Sequence, residues 1–149
     1  MRITAATQAD TADWAALRQA LWPSHEPGAH EADIAAFLAD PTDTINLIAR
    51  LPDGRAVGLA EAALRHDYVN GCKTSPVAFL EGIYVAPDSR RLGIARGLVM
   101  AVEDWARAQG CTEFASDAAV GNLESHRMHD ALGFSETQRV VYFRKVLGP

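Results

Sequence analysis

The stretch Phe79-Leu80-Glu81-Gly82-Ile83-Tyr84-Val85-Ala86-Pro87-Asp88-Ser89-Arg90-Arg91-Leu92-Gly93-Ile94-Ala95 decides how this chain is read. Its first part is strand-like up to Val85, and Pro87, which has no N–H to offer a ladder, ends it. A helix is expected over Arg91 to Gln109, with Ile94, Leu98, Val102 and Trp105 on one face and Gly110 in the C-capping place. The first N–H groups of a helix have no partner inside it, and the helix dipole adds positive charge there, so the junction is an anion site. Gly93 and Ala95 carry little side chain, which lets a pyrophosphate approach the backbone. Arg90 and Arg91 can add charge-assisted hydrogen bonds.

Outward from this stretch, strands and helices interleave without strict alternation. Arg2 to Ala6 reads as a short strand, and Thr7-Gln8-Ala9-Asp10 as a capping-box helix start. Trp14, Leu17 and Leu21 then recur at helical spacing until Pro23. A second helix is expected from Glu31 to Ala39, burying Ile34, Phe37 and Leu38. Strands Thr44 to Arg50 and Ala56 to Arg65 flank the turn Pro52-Asp53-Gly54. After a polar loop from His66 to Pro76 comes the strand Ala78 to Val85. Beyond the long helix lie a strand from Thr112 to Ala118, a helix from Asn122 to Leu132, and a β-branched and aromatic strand from Arg139 to Val146. No repeat or linker divides the sequence, so the expectation is one domain over 1–149, of α/β (α+β mixed sheet) class.

The 149 residues are 48% apolar and 22% charged, which argues against disorder. A net charge of −5 disfavours a nucleic-acid partner and suits a cationic ligand. No apolar run approaches the ~18 residues that span a bilayer, so no membrane partner is expected. The N-terminus lacks a secretory signal, and Cys72 and Cys111 form no disulfide framework. Together these features point to the cytoplasm. His126 and His129 stand three apart without a third ligand, so no metal is expected.

Arg90, Gly93 and Ala95 match in order the Arg/Gln-x-x-Gly-x-Gly/Ala loop of the GNAT acetyltransferases, which the chain resembles. The resemblance implies a central mixed, mostly antiparallel sheet flanked by about four helices, and acetyl-CoA as cosubstrate. It assigns the cofactor to Tyr84, Val85, Arg90, Arg91, Leu92, Gly93, Ile94 and Ala95, with a backbone N–H near Val85 meeting the thioester carbonyl. A second motif, Asn122-x-x-Ser125-x-x-Met128-His129-x-x-Leu132-Gly133-Phe134, resembles the family segment in which Asn contacts the cofactor arm and Tyr protonates the departing thiolate. Here His129 stands in place of that Tyr. An imidazolium can do the same work, a packing role is the alternative, and Tyr142 is a reserve donor.

Leu21-Trp22-Pro23, Arg65-His66-Asp67-Tyr68-Val69-Asn70-Gly71, Phe79-Leu80-Glu81-Gly82-Ile83-Tyr84-Val85 and Phe114-Ala115-Ser116-Asp117 look more narrowly like the aminoglycoside 6′-N-acetyltransferases. Such an acceptor carries several ammonium groups and needs convergent carboxylates with aromatic walls. Glu81 and Asp117 meet that need if their strands adjoin and splay, and Glu136 is a third acid. Trp22, His25 and Tyr68 supply walls and hydrogen bonds by resemblance. Glu81 is also the candidate base, acting through a water. The final strand suggests pairing across a homodimer boundary. Two rival functions remain at this level: an acetyltransferase for another amine, and a non-catalytic acyl-CoA-binding module.

Overall fold

A computed structural model describes all residues 1–149. It falls into two compact units, Met1–Asp117 and Ala118–Pro149. The first unit is built on five strands in spatial order β1-β2-β3-β4-β5: β1 (Arg2–Ala5), β2 (Thr44–Arg50), β3 (Ala56–Arg65), β4 (Val77–Val85) and β5 (Phe114–Ser116). The first three pairings are antiparallel and β4–β5 is parallel. Parallel neighbours require a crossover connection, supplied here by the helix α3 (Ile94–Ala108). The mixed, mostly antiparallel sheet is thus the expected one, and the boundaries of β2 and β3 coincide with the periodicity.

Helices α1 (Thr11–Leu21) and α2 (Ala29–Ala39) close one side of the sheet, where Trp14, Leu17 and Ile34 pack with Ile48 and Leu59. The predicted capping box is present: the Thr7 N–H donates to Asp10 at 2.8 Å, in a short 3-10 turn that leads into α1. On α3, Ile94, Leu98, Val99, Val102 and Ala106 are buried against the sheet, and Trp105 packs beside Ala78 and Cys111. Gly58 is the place where α3 comes closest to β3. A Cβ there would lie 2.9 Å from Ile94 Cγ2 and 3.2 Å from Leu98 Cδ1.

Between α1, α2 and β3 lies a charged cluster. Arg18 and Glu61 are 6% and 3% exposed, a depth that charged groups tolerate only when paired. Arg18 Nη1 donates to Glu61 Oε1 and Nη2 to Asp33 at 2.7 Å. Trp14 Nε1 donates to the other Glu61 oxygen at 2.8 Å. These bonds fix both helices in register on β3.

Three expectations need correction. Arg91 is not helical: it and Gly93 adopt left-handed backbone, φ 65° and 78°, and α3 starts at Ile94. Leu38 is not core but 36% exposed, because the α2 face turned to the sheet is taken by Ile34 and Phe37. Arg139 to Val146 forms no strand. Its β-branched residues favour one, yet a strand needs a ladder partner, and this segment has none within the chain. The second unit instead holds α4 (Leu123–Ala131) followed by extended, exposed chain.

Candidate active site

The site in the first unit is made by two irregularities of β4. Glu61 pairs with Gly82 but Ala62 pairs with Leu80, so Glu81 is an extra residue with no partner on β3. Such a bulge re-aims the side chain at that point. On the other edge, the parallel ladder with β5 runs through Ala78↔Phe114, Phe79↔Ala115 and Leu80↔Ser116, then stops. Glu81 and Asp117 each follow directly on the last paired rung, and both are exposed. Past that rung β5 no longer covers β4.

The uncovered edge carries the predicted backbone donor. The Ala86 N–H donates to Val57 O at 2.8 Å, so residue 86 turns toward β3. The Val85 carbonyl accepts instead from Arg90 Nε at 3.0 Å. Strand alternation therefore turns the Val85 N–H away from β3, to the side β5 has left. The Tyr84 side chain goes to the α1 face, against the core around Trp14, and Ile94 is 2% exposed beneath α3. Ile94 can therefore serve a ligand only through its backbone.

Beyond β4 the chain turns through Pro87–Ser89, where Asp88 bonds Arg55 at 2.7 Å, and the guanidinium holds its carboxyl below the usual range. Left-handed Arg91 and Gly93 then swing the backbone into α3, whose N-terminus has no side-chain cap. A Cβ on Gly93 would meet nothing within 4 Å, so the chain is open on that side of Gly93. Leu92 is 63% exposed beside it. An uncapped 15-residue helix with an unobstructed glycine fits the pyrophosphate of coenzyme A. Backbone N–H groups from Arg91 to Ala95 would hold it, with the Arg91 guanidinium nearby. Arg90 folds back on Val85 and shapes the loop.

Trp22, at the end of α1, lies on Gly82. A Cβ there would come within 2.3 Å of Trp22 Cζ2 and 2.8 Å of Leu21 Cδ2, so only glycine admits the indole. Arg18 stacks 5.0 Å over the ring. His30 Nδ1 accepts from Arg18 Nε at 3.2 Å, so His30 Nε2 carries the proton it donates to the Trp22 carbonyl at 3.0 Å. Trp22 is thereby a fixed wall one residue from Glu81. His25 is exposed in the loop after α1, lining an open groove between α1 and α2. Tyr68 is 75% exposed on the β3–β4 loop, next to Val69, which is anchored on Val77 and Phe79. Glu113 gathers that loop by accepting from the Lys73 and Thr74 N–H groups, each at 2.8 Å.

The periodicity gave no sign of several residues that shape the site. Gly82 stood in a quoted motif without a role. Arg18 and Glu61 sat unremarked on an amphipathic helix and a strand, though an Arg amid an apolar stripe was a usable signal. Arg65, which grips Glu81 through bonds of 2.9–3.2 Å, was noted only as part of a loop motif.

In the second unit, Asn122 caps α4 by accepting the Ser125 N–H at 3.2 Å. The His129 Nδ1–H donates to the Ser125 carbonyl at 2.7 Å, and the ring meets Phe134 edge-on at 5.1 Å. Glu136 pairs with Arg139, whose guanidinium holds its carboxyl below the usual range. His126 bonds the Ala119 carbonyl at 2.9 Å, and no group of three potential ligands forms a metal site.

No nucleophile for a covalent route is evident. Burial pushes the Cys72 and Cys111 thiols up, and the neighbouring Glu113 carboxylate pushes Cys72 further. The Trp22–Gly82 contact has a measurable consequence. Gly82→Ala should displace the indole, shift tryptophan emission, and cost about 1–3 kcal/mol in denaturant unfolding, as overpacking does. Unchanged emission and stability would show that the ring does not rest on β4.

Residues 14–134 match the acetyltransferase (GNAT) family model. An aminoglycoside N(6′)-acetyltransferase type 1 from Serratia marcescens is 56% identical over 135 residues, 91% of this chain and 92% of its own. The crystal structure of the 6′-N-acetyltransferase AAC(6′)-Ih from Acinetobacter baumannii superposes with a TM-score of 0.93 at 50% identity, covering 99% of each chain. AAC(6′)-Iy in complex with the bisubstrate analogue CoA-S-monomethyl-acetylneamine does so at 0.92 and 44% identity, covering 98% of each. The chain belongs to the GNAT acetyltransferase family, in the branch of the aminoglycoside N(6′)-acetyltransferases.

Proposed function

We propose that this chain transfers the acetyl group of acetyl-CoA to the 6′-amine of an aminoglycoside, by direct attack within a ternary complex. The observation that carries the reading is the arrangement along β4. An uncapped helix start suited to an anion follows its C-terminal end, and the exposed carboxylates Glu81 and Asp117 stand where β5 leaves it. One end suits a pyrophosphate and the other a polycation. The relatives named for this activity, and the CoA–acetylneamine complex of one of them, support the same substrates. The family match crosses the boundary at Asp117, which supports treating the chain as one acetyltransferase domain.

In this reading Glu81 and Asp117 hold the acceptor ammonium groups, with Trp22 as a wall and His25, Tyr68 and Glu136 as further acceptor contacts. Glu81 takes the proton from the reacting ammonium through a water, because a carboxylate manages that transfer only with a relay or desolvation. The neutral amine then attacks the thioester carbonyl. The Val85 N–H donates to the carbonyl oxygen as negative charge builds on it. Asn122 steadies the cofactor arm, and His129 supplies a proton to the departing thiolate. Raised cysteine thiols favour this direct route over an acyl-enzyme.

We also infer a homodimer. Val140, Val141, Tyr142, Phe143 and Val146 are 48–92% exposed in a segment with strand-forming composition and no intrachain partner, which suits pairing with a second copy. We place the enzyme in the cytoplasm, where its free thiols Cys72 and Cys111 stay reduced. No helix is long and apolar enough to cross a membrane.

Two experiments test these readings. Thiol release from acetyl-CoA should be rapid with an aminoglycoside bearing a 6′-amine and nearly absent with its 6′-hydroxyl counterpart. Equal turnover would remove the 6′ assignment. Silence with both would leave another amine, or a non-catalytic acyl-CoA module, as the function. Sedimentation should give a dimer for the native chain and a monomer for a Val141→Lys, Phe143→Lys variant; a native monomer would overturn the dimer.

A further inference from the structure

Glu81 does not stand empty-handed in the acceptor-free protein. Arg65, the last residue of β3, reaches across to this bulged residue of β4 and donates Nη2 to both carboxylate oxygens, at 3.0 and 2.9 Å, and Nε to Oε1 at 3.2 Å. Its guanidinium carbon lies 3.5 Å from the centre of the Phe79 ring, and Phe79 is fixed in the core against Val69 and Val77. The pair is half-exposed, 44% for Arg65 and 37% for Glu81, yet it is stacked and forked, unlike a loose surface contact.

We propose that Arg65 is a specificity-determining residue of the acceptor site: its guanidinium sits where an acceptor ammonium would sit on Glu81, and an acceptor must displace or share it. The inference rests on Glu81 being an acceptor carboxylate. Paired with Arg65, Glu81 offers little net negative charge to an approaching amine. A monoamine merely exchanges one cation for another and loses a three-bond contact. A polycation carries further ammonium groups to Asp117, and those contacts offset the displacement. Arg65 thus acts as a filter: it lowers every acceptor's affinity by the same displacement cost, which only an acceptor with further ammonium contacts can offset.

The test is calorimetric titration, with coenzyme A present to prevent turnover, of neamine and of the monoamine 6-amino-6-deoxyglucose. Arg65→Gln should tighten neamine binding roughly two- to fivefold, the scale of a partly exposed charge pair. It should tighten the monoamine by a comparable factor, since both displace the same guanidinium, and steepen the salt dependence of both. Arg65→Lys, which keeps the charge, should stay near the native values, and coenzyme A affinity should not change in either variant. In the Glu81→Gln background the gain from Arg65→Gln should vanish. Neamine binding that weakens or stays constant in Arg65→Gln, while Glu81→Gln weakens it, would overturn the filter and keep the acceptor site. Indifference of neamine to Glu81→Gln would overturn the acceptor assignment itself, and the filter with it.

Discussion

The β4–β5 ladder stops after Leu80↔Ser116, and the proposed transfer depends on that early end. A fully paired parallel strand would satisfy the β4 edge through Val85 and leave no backbone donor free. Because β5 departs, β4 keeps an open edge beside a bulged Glu81, and Asp117 begins the departing chain. One strand thereby offers a carboxylate, an amide donor and the entry to a helix N-terminus in sequence order. Direct transfer between two bound substrates needs such an arrangement, since proximity and orientation replace a covalent relay.

The surroundings hold that strand still. Arg18 joins α1 to β3 through Glu61 and to α2 through Asp33, and the same guanidinium stacks on Trp22. A buried charge cluster of this kind adds little net stability. Its effect is geometric, because Trp22 can lie against β4 only at Gly82 and only while α1 keeps its angle. At the other end, left-handed Arg91 and Gly93 bend the chain sharply enough for α3 to start with its amides uncovered. In the proposed function, opposite electrostatic demands, a polyanion and a polycation, fall a few residues apart along one strand and its following turn.

Much of this was legible in the sequence, for reasons that can be named. Strands β2 and β3 have clear turn signals at both ends, so their limits were readable. The Pro87-to-Ala95 junction was expected from residue type to end in an open helix start, and α3 does begin there without a side-chain cap, while Glu81 stood out as an acid within an apolar strand. What stayed hidden depended on partners distant in sequence. Arg65 and Glu81 meet 16 residues apart only because a bulge turns the carboxylate outward, and no periodicity records a bulge. Glu61 is partnered by Arg18 and Trp14, which α1 brings over it from more than 40 residues away, and no local spacing records that. The reverse failure is Arg139 to Val146, where composition announced a strand and the structure has none.

The Val85 amide is the group on which the proposed transfer turns. Acetyl-CoA should be added to ¹⁵N-labelled protein without acceptor, and the backbone amide resonances followed. The largest perturbations should fall on Val85 and on the amides from Arg91 to Ala95, with Ala86, whose N–H is held by Val57, moving less. Saturable binding that leaves Val85 and those amides in place, while shifting resonances elsewhere, would contradict an open β4 edge as the place where the thioester is received.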